Sequence, residues 1–304
     1  MTTAAPASRC VGLIGLGAMG QGVARNLLRK GFKVHGCDLR PDARAALVRE
    51  GGQACATPAD LGERCGAVIV LVVNAGQTEA VLFGPGGVAA QLRPGSVVIL
   101  SATTPPAFVE KLGERLAALG LLLLDAPVTG GVTGAAQGTL TLLTSGPEPA
   151  YAACEDVLAA ISTRGFRFGT AHGLGSKAKV INQLLVGVQI AAAAEAMALG
   201  LREGVDPQLL YQALQSGAAS SWAFSDRVPR MISPEPGAQT ALDIFVKDLG
   251  LVLDTARASA FPTPLASTAY QMFAIAAAAG LGREDDSAVI RIFPGIGRPP
   301  AGAA

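Results

Sequence analysis

Glycines at a regular spacing follow the first apolar segment of the chain. Residues 10–14 are apolar, Gly15, Gly17 and Gly20 come next, and a helical pattern then leads to a second apolar run that ends at Asp38. Strand, glycine turn, helix, strand and acid within about 30 residues are typical of a dinucleotide-binding unit, whereas the glycines alone would also suit an ordinary turn. Backbone amides at such a turn bind a pyrophosphate. We therefore expect cofactor contacts from Gly15, Leu16, Gly17, Ala18, Met19 and Gly20.

The acid at the end of the second apolar run bears on which dinucleotide binds. A carboxylate at this position hydrogen-bonds the adenosine ribose hydroxyls and repels a 2′-phosphate, so Asp38 favours NAD over NADP. Arg40 and Arg44 follow within a few residues and keep NADP open as an alternative. The sequence thus predicts NAD as the cofactor, with NADP possible.

Three later strand-like runs end in polar or glycine-rich segments, at Asn74, at residues 101–104 and at residues 125–131. The carboxyl ends of parallel strands form the ligand-binding edge of a doubly wound sheet. A short loop at residues 129–131 could hold a substrate carboxylate with its backbone N–H groups and hydroxyl. A plain turn that needs glycine for its backbone angles is at least as good an interpretation of that loop. The strand-end residues that we expect near ligands are Val73, Asn74, Thr103, Thr129, Gly130 and Gly131.

Two lysines are candidates for proton transfer or ligand binding. Lys179 lies near the start of a long helical pattern, where Asn182 and Gln183 share its face because residues three and four apart are neighbours on a helix. The positive end of the helix dipole and burial would both favour a neutral amine, the form that accepts a proton. Spacing alone favours a solvated lysine. Lys247 follows Asp243 by four residues, and an exposed pair of the two is the simplest interpretation.

Composition excludes several classes of protein. The chain has 304 residues, a formal net charge of +1, 50% hydrophobic and 15% charged residues, and no basic run, so neither nucleic acid nor an acidic membrane surface is favoured as a partner. Five scattered cysteines and two histidines show no metal-ligand spacing and no disulfide framework, so we expect no metal. The low share of charged residues suits a protein that buries a further face in an oligomer, although a high alanine content also explains that low share. Residues 1–8 do not resemble a secretory signal and no uncharged stretch reads as a membrane span, so we expect the cytoplasm.

Strand-like and helical patterns alternate up to about residue 172, which is typical of a parallel doubly wound sheet. From residue 173 the strand-like runs stop, and helical patterns follow at 177–204, 207–216, 242–258, 264–280 and 284–293. We therefore expect an α/β fold, with a Rossmann domain at residues 1–172 and an all-α domain at residues 173–304. Trp222 and Phe224 fall in a stretch rich in small residues, 216–225, that we expect to be a loop.

Four motifs in this order resemble the β-hydroxyacid dehydrogenases. They are the glycine fingerprint at 12–31, Asp-Ala-Pro-Val-Thr-Gly-Gly at 125–131, residues 173–183 with Lys179, and Lys-Asp-Leu at 247–249. The resemblance covers nearly the whole chain. It implies a Rossmann domain, a long helix that leads into an all-α domain, and a homodimer or homotetramer built on the α domains.

The resemblance also implies roles for residues near the substrate. Lys179 matches the catalytic lysine, which relays the proton of the hydroxyl that is oxidised. Residues 129–131 match the loop that binds the substrate carboxylate, where the family more often has serine in place of Thr129. Threonine keeps the hydroxyl and adds a methyl group, which implies a tighter pocket.

Further roles follow from the same resemblance. Asn182 and Gln183 stand where the family often has two asparagines, and either could contact the substrate hydroxyl. Lys247 matches a lysine near the cofactor or the substrate, and Thr103 matches a residue beside the nicotinamide ribose. The implied reaction is NAD-dependent oxidation of a small polyhydroxy acid at C2. Oxidation at C3, reduction in the opposite direction, and a non-catalytic nucleotide-sensing module remain as alternatives, and the presence of Lys179 counts against the last.

Overall fold

The structure is a computed structural model of the chain, and it describes residues 10–233 and 240–296. The segment 1–8, for which no secretory signal is expected, lies outside the described residues. By packing, the chain divides into two compact units, Met1–Lys179 and Val180–Ala304. This division falls inside a long helix, and the domain boundary at residues 172/173 stays a prediction.

Six parallel strands form the main sheet of the first unit, in the order β3-β2-β1-β4-β5-β6. Ile14 is paired with both Cys37 and Val70, so the carboxyl ends of the three central strands lie at one edge. This strand order is that of a dinucleotide-binding doubly wound sheet, as the alternating pattern predicted. The strands are β1 (Cys10–Ile14), β2 (Lys33–Cys37), β3 (Gln53–Cys55), β4 (Ala67–Val70), β5 (Val97–Leu100) and β6 (Leu122–Asp125).

Helices connect and cover these strands, which explains why β1, β4 and β5 are wholly buried and apolar. A single 3-10 turn, Pro58–Leu61, follows Thr57, which forms a capping box with Asp60. A second 3-10 turn spans Ala89–Gln91. The α-helices of this unit are α1 (Ala18–Arg29), α2 (Pro41–Arg49), α3 (Ala75–Phe83), α4 (Pro106–Ala118), α5 (Gly131–Gln137) and α6 (Glu148–Ile161).

A second, three-stranded sheet completes the first unit. It contains β7 (Val128–Thr129), β8 (Leu140–Thr144) and β9 (Ser162–Arg167), with β7 antiparallel and β9 parallel to the central β8. Of these, only β8 lies in a segment, residues 139–144, that alternates with period two and is predicted as a strand. Strand β9 was missed because it is polar and mostly exposed, so it lacks the apolar pattern by which a strand is recognised.

The described part of the second unit is helical, as predicted. Helix α7 begins in the first unit and continues into the second, where Ile190, Phe245 and Phe273 lie in one apolar core. A π-helical turn, Ala277–Leu281, and a 3-10 helix, Asp286–Ile292, end the described chain. The α-helices are α7 (Leu174–Arg202), α8 (Pro207–Gln215), α9 (Trp222–Met231), α10 (Leu242–Ala258) and α11 (Pro264–Ala276).

The loop expected at residues 216–225 is wrong from Trp222 onward. Helix α9 begins there, because the Ser221 hydroxyl oxygen accepts a hydrogen bond of 3.0 Å from the backbone N–H of Phe224 and so caps the helix. Phe224 is buried in the core, whereas Trp222 is exposed. Pro229 inside the helix and the small residues before it hid the helical pattern.

Helix α7 is the one described helix that is long and apolar enough to cross a membrane, by length and composition alone. A single such helix is weak evidence, because the core helix of a globular protein passes the same test. Ile190, Ala194 and Met197 of α7 are fully buried in the apolar core of the second unit. We therefore treat α7 as a core helix.

Candidate active site

The glycine turn between β1 and α1 has a backbone that other residues could not adopt. Gly15 has φ of +97°, and its N–H donates to the carbonyl of Cys37 at 2.9 Å. A Cβ atom at Gly15 would collide with the carbonyl oxygen of Leu71, and one at Gly20 would collide with the carbonyl oxygen of Gly15. Gly17 differs, because no atom lies within 4 Å of where its Cβ would stand. The turn is thus tight on its inner side and open at Gly17.

Asp38 follows β2 and is hydrogen-bonded to the glycine turn. Its Oδ2 accepts from the backbone N–H of Leu16 at 2.7 Å, and its Oδ1 accepts from the backbone N–H of Arg40 at 2.9 Å. Two guanidinium groups lie around it. Arg40 donates to the carbonyl of Leu16 at 3.3 Å, and Arg44 donates to the carbonyl of Asp38 at 2.5 Å. The carboxylate expected to recognise the ribose is therefore held in place, with two cations beside it.

Polar groups follow the next strands at the same edge of the sheet. Asn74 caps α3, since its Oδ1 accepts from the N–H of Gln77 at 2.8 Å. Val73, one residue earlier, is exposed. After β5, Thr103 is half-buried, and the hydroxyls of Ser101 and Thr104 are buried without a hydrogen-bond partner among the described residues. Sequence reasoning placed residues 101–104 at this edge of the sheet and singled out Thr103; the burial of the Ser101 and Thr104 hydroxyls required the fold.

These features fit a bound dinucleotide. The open space at Gly17 lies at the N-terminus of α1, where backbone N–H groups are available to a phosphate. The buried hydroxyls of Ser101 and Thr104 have unused hydrogen-bonding capacity at the carboxyl edge of the sheet, where such ligands bind. The residues that could hold the cofactor are those of the glycine turn, Asp38, Val73, Asn74 and Thr103.

The loop at residues 129–131 joins β7 to α5. Thr129 is half-buried, and Gly130 and Gly131 have φ of +116° and +61°. Both glycines are thus required by the backbone conformation. The geometry suits a loop that presents N–H groups to a carboxylate, and it suits a plain turn equally well.

A buried carboxylate holds the N-terminus of α7, and sequence reasoning missed this role. Asp125, at the end of β6, accepts hydrogen bonds from the backbone N–H of Ser176 at 2.8 Å, the Ser176 hydroxyl at 2.7 Å and the Ser145 hydroxyl at 3.2 Å. Gly175 allows the close approach, because its Cβ would lie 2.5 Å from the carbonyl oxygen of Leu143. Burial raises the pKa of the Asp125 carboxyl, and the hydrogen bonds from Ser176 and Ser145 oppose that rise. The only sequence signals were an acid ending an apolar strand and a serine opening a helix.

The first turns of α7 carry two lysines with different surroundings. Lys177 is exposed, and its Nζ lies 2.8 Å from Oε1 of Glu110. Lys179 is only 7% exposed. The solvated environment that spacing alone favoured for Lys179 is therefore wrong. The structure therefore places a buried lysine and an exposed one two residues apart in the first turns of α7.

In the second unit, the other candidate residues are joined by hydrogen bonds. Gln183 donates to Asp248 at 2.6 Å, and Asn182 donates to Gln183 at 2.9 Å. Lys247 Nζ forms an ion pair with Asp248 Oδ1 at 2.7 Å. The structure thus brings Asn182, Gln183 and Lys247 together around Asp248. The sequence had suggested an exposed ion pair of Lys247 with Asp243, and it gave no sign that Lys247 pairs with the buried Asp248.

The surroundings of the cysteines and of the other common metal-ligating side chains are as follows. The five cysteines are free and buried, with Cys10 Sγ and Cys65 Sγ 3.1 Å apart. Among residues 10–233 and 240–296, no group of three or more histidine, cysteine or acidic side chains could hold a metal ion.

Comparison with known proteins places this geometry in a family. The NAD-binding domain of 6-phosphogluconate dehydrogenase matches residues 10–170, and the NAD-binding domain of NADP-dependent 3-hydroxyisobutyrate dehydrogenase matches residues 173–293. The L-threonate dehydrogenase of Cupriavidus necator is 61% identical, covering 96% of this chain and 98% of the relative. That of Escherichia coli K12 is 46% identical, covering 96% and 97%. A crystal structure described as 3-hydroxyisobutyrate dehydrogenase from Salmonella typhimurium is 47% identical, covers 93% of this chain and 99% of that chain, and has a TM-score of 0.89.

The first family model covers the part of the chain with the glycine fingerprint and the 125–131 motif, and the second covers the part with Lys179 and Lys247. The similarity to the two L-threonate dehydrogenases extends over almost the full length of this chain and of each relative. It is therefore not confined to the nucleotide-binding fold. The chain belongs to the β-hydroxyacid dehydrogenase family and is an NAD(P)-dependent hydroxyacid dehydrogenase.

Proposed function

We propose that the protein oxidises the C2 hydroxyl of L-threonate to 2-dehydro-L-erythronate with NAD as the hydride acceptor. The observation that supports the substrate most strongly is the 61% identity with an L-threonate dehydrogenase over 96% of the chain. The chemistry is supported by the burial of Lys179 in the first turns of α7.

The residues of the first unit have defined tasks in this proposal. A bound nicotinamide ring supplies the hydride acceptor. The hydroxyl of Thr129 and the N–H groups of Gly130 and Gly131 hold the substrate carboxylate. Lys179 accepts the proton of the C2 hydroxyl as that carbon is oxidised, and its burial excludes water from the proton transfer.

Cofactor contacts are proposed for the glycine turn, Asp38, Val73, Asn74 and Thr103. Asp38 selects NAD because its carboxylate stands where a 2′-phosphate would otherwise meet Arg40 and Arg44. In the second unit, Asn182 or Gln183 contacts a substrate hydroxyl, and Lys247 contacts cofactor or substrate. These last roles come from the family resemblance.

The proposal extends to assembly and location. We expect a homodimer or homotetramer formed through the α domain, because Ile181, Leu185 and Leu199 of α7 are large apolar residues that are 68%, 56% and 62% exposed. We expect the cytoplasm because all five cysteines are free thiols, as is usual in a reducing compartment.

A second candidate is activity of the 3-hydroxyisobutyrate dehydrogenase or tartronate semialdehyde reductase type, on the same fold. The 47% identity with the Salmonella structure favours keeping it. Initial rates should be measured with NAD and with NADP on L-threonate, D-glycerate and 3-hydroxyisobutyrate, and with NADH on tartronate semialdehyde. We expect kcat/KM for L-threonate with NAD to exceed every other value by at least about tenfold, or about 1.4 kcal/mol of transition-state stabilisation. A higher value for any other pair would replace the proposed substrate.

A further inference from the structure

Four polar side chains of the second unit form a continuous chain, which we name the amide relay. Lys247 Nζ lies 2.7 Å from Asp248 Oδ1, and Gln183 Nε2 donates to Asp248 Oδ2 at 2.6 Å. Asn182 Nδ2 in turn donates to Gln183 Oε1 at 2.9 Å. Asp248 and Gln183 are 3% and 7% exposed, whereas Asn182 is half-buried. Lys247 and Asn182, both half-buried, are thus the two ends of the amide relay, and we call the Asn182 end its open end.

The direction of every hydrogen bond in the amide relay follows from the charge of Asp248. A carboxylate paired with a lysine only accepts hydrogen bonds, so Gln183 must turn its NH₂ group toward it. The carbonyl of Gln183 then faces Asn182, which must donate. A reversed Gln183 would place two acceptor oxygens against each other with no proton between them. The carboxylate therefore fixes both amides.

At its open end the amide relay leaves a hydrogen-bond acceptor. Asn182 has used one N–H, and its Oδ1 makes no hydrogen bond among the described residues. An amide carbonyl accepts a hydrogen bond from a hydroxyl, whereas a methyl or methylene group offers nothing to it. Gln183 is buried, and its amide nitrogen and oxygen are both already hydrogen-bonded, so we do not expect it to bind a substrate hydroxyl.

We propose that Asp248 is a positioning residue that holds Asn182 Oδ1, through Gln183, toward a substrate hydroxyl other than the one oxidised. This inference rests on the proposed function and sharpens it, because it names Asn182 as the residue that contacts the hydroxyl and Gln183 as the link. The amide relay thereby selects a polyhydroxy acid over a hydroxy acid whose remaining chain is alkyl. A site built to bond a hydroxyl discriminates strongly against the analogue that lacks it.

The first test compares L-threonate with 2-hydroxybutanoate of the same C2 configuration, which lacks the C3 and C4 hydroxyls. In Asp248→Asn, the new amide turns its carbonyl to Lys247 and its NH₂ to Gln183, which reverses both amides and presents N–H groups in place of Asn182 Oδ1. We expect the ratio of the two kcat/KM values to fall by about tenfold, because a hydroxyl that donated to Asn182 Oδ1 must turn to accept from the N–H and gives up its own acceptor, with 2-hydroxybutanoate little affected. An unchanged ratio would overturn the proposal.

The second variant, Gln183→Glu with Asp248→Asn, restores the original polarity. The amide introduced at position 248 now donates to the carboxylate introduced at position 183, which accepts from Asn182 as the Gln183 carbonyl did. The ratio should therefore return to within about threefold of the parent value. Asp254→Asn is the matched control, since Asp254 forms an exposed pair with Arg257 at 2.7 Å on the same helix, and its ratio should stay unchanged. A double variant no better than Asp248→Asn would contradict the inferred direction of the bonds.

A stability measurement separates failure of this inference from failure of the proposed function. Gln183→Glu alone puts a second carboxylate beside Asp248, and two close carboxylates raise the pKa of one of them above its unfolded value of about 4.3. The stability of that variant is then greatest below this pKa and is lost as pH rises through the folded one. Its Tm relative to the parent should fall between pH 5 and pH 8, and this fall should vanish with Asp248→Asn added. Parallel Tm curves would overturn the amide relay whatever the substrate proves to be.

Discussion

The glycine turn after β1 and the N-terminus of α7 are built by opposite means. The turn depends on missing side chains close together in the chain, since a Cβ at Gly15 or Gly20 would strike backbone atoms. The start of α7 depends on side chains that are present and far apart, since Asp125 holds Ser176 from 51 residues away. The first kind of structure is visible as a motif. The second exists only once the fold brings its parts together, and Lys179 is positioned by it.

The largest effect that would test this contrast is expected at Lys179. Lys179→Ala removes the proposed proton relay, so kcat should fall by about 10³-fold, within the range for general acid–base catalysis. Binding of NADH, measured by its fluorescence, should change by less than about threefold, or about 0.7 kcal/mol.

Lys177→Ala is the matched control, two residues away on the same helix. Lys177 is exposed and paired with Glu110, so its loss should leave kcat within about twofold of the parent, as for surface ion pairs in general. Equal kinetic effects of the two substitutions would show that charge at the helix start, and not the buried amine, matters.

The two lysines also show which features of the structure could be predicted from the sequence. The glycine turn, the parallel sheet and the helical second unit were predictable, because each leaves a local pattern of glycines or apolar residues. The burial of Lys179 was not, since the partners that order its helix are distant in sequence. Strand β9 is polar and helix α9 contains Pro229, so neither shows the usual local pattern.

The next effect concerns the anchor of α7. Asp125→Ala removes the acceptor of three hydrogen bonds and leaves buried donors of Ser176 and Ser145 unsatisfied, so the free energy of unfolding should fall by about 3 kcal/mol. Glu110→Ala removes an exposed partner of the same helix and should cost about 0.5 kcal/mol. Urea denaturation of both variants measures the difference, and similar losses would mean that the buried anchor has no special role.

The pH dependence of stability provides a check on the same carboxyl. Burial raises the folded pKa of Asp125 above its unfolded value of about 3.9, so its contribution to stability is full below that value and is lost as pH rises through the folded pKa. The Tm difference between the parent and Asp125→Asn should therefore shrink from pH 4 toward pH 7. A difference that grows with pH would reverse the assigned direction of the shift.

At the glycine turn, the open position, Gly17, can be tested separately from the tightly packed positions, Gly15 and Gly20. Gly17→Val places a side chain in space that no protein atom occupies, so Tm should hold while NADH affinity falls by at least about tenfold, or about 1.4 kcal/mol. Gly66→Val is the control, because Gly66 also has nothing within 4 Å of its Cβ position but precedes β4, at the opposite edge of the sheet. Equal NADH affinities in the two variants would exclude the turn as the phosphate site.

The smallest effect is expected in cofactor choice. Asp38→Ser removes the carboxylate beside the Arg40 guanidinium, in a residue whose backbone carbonyl Arg44 binds, and with it the repulsion of a 2′-phosphate. The ratio of kcat/KM for NADP to that for NAD should rise by about tenfold, because a charge-assisted contact replaces a like-charge one. Asp42→Ser is the control, since this carboxylate is exposed in the first turn of α2, and it should leave the ratio unchanged. A ratio unaffected by Asp38→Ser would mean that the two arginines, bonded to backbone carbonyls in this turn, do not reach the nucleotide.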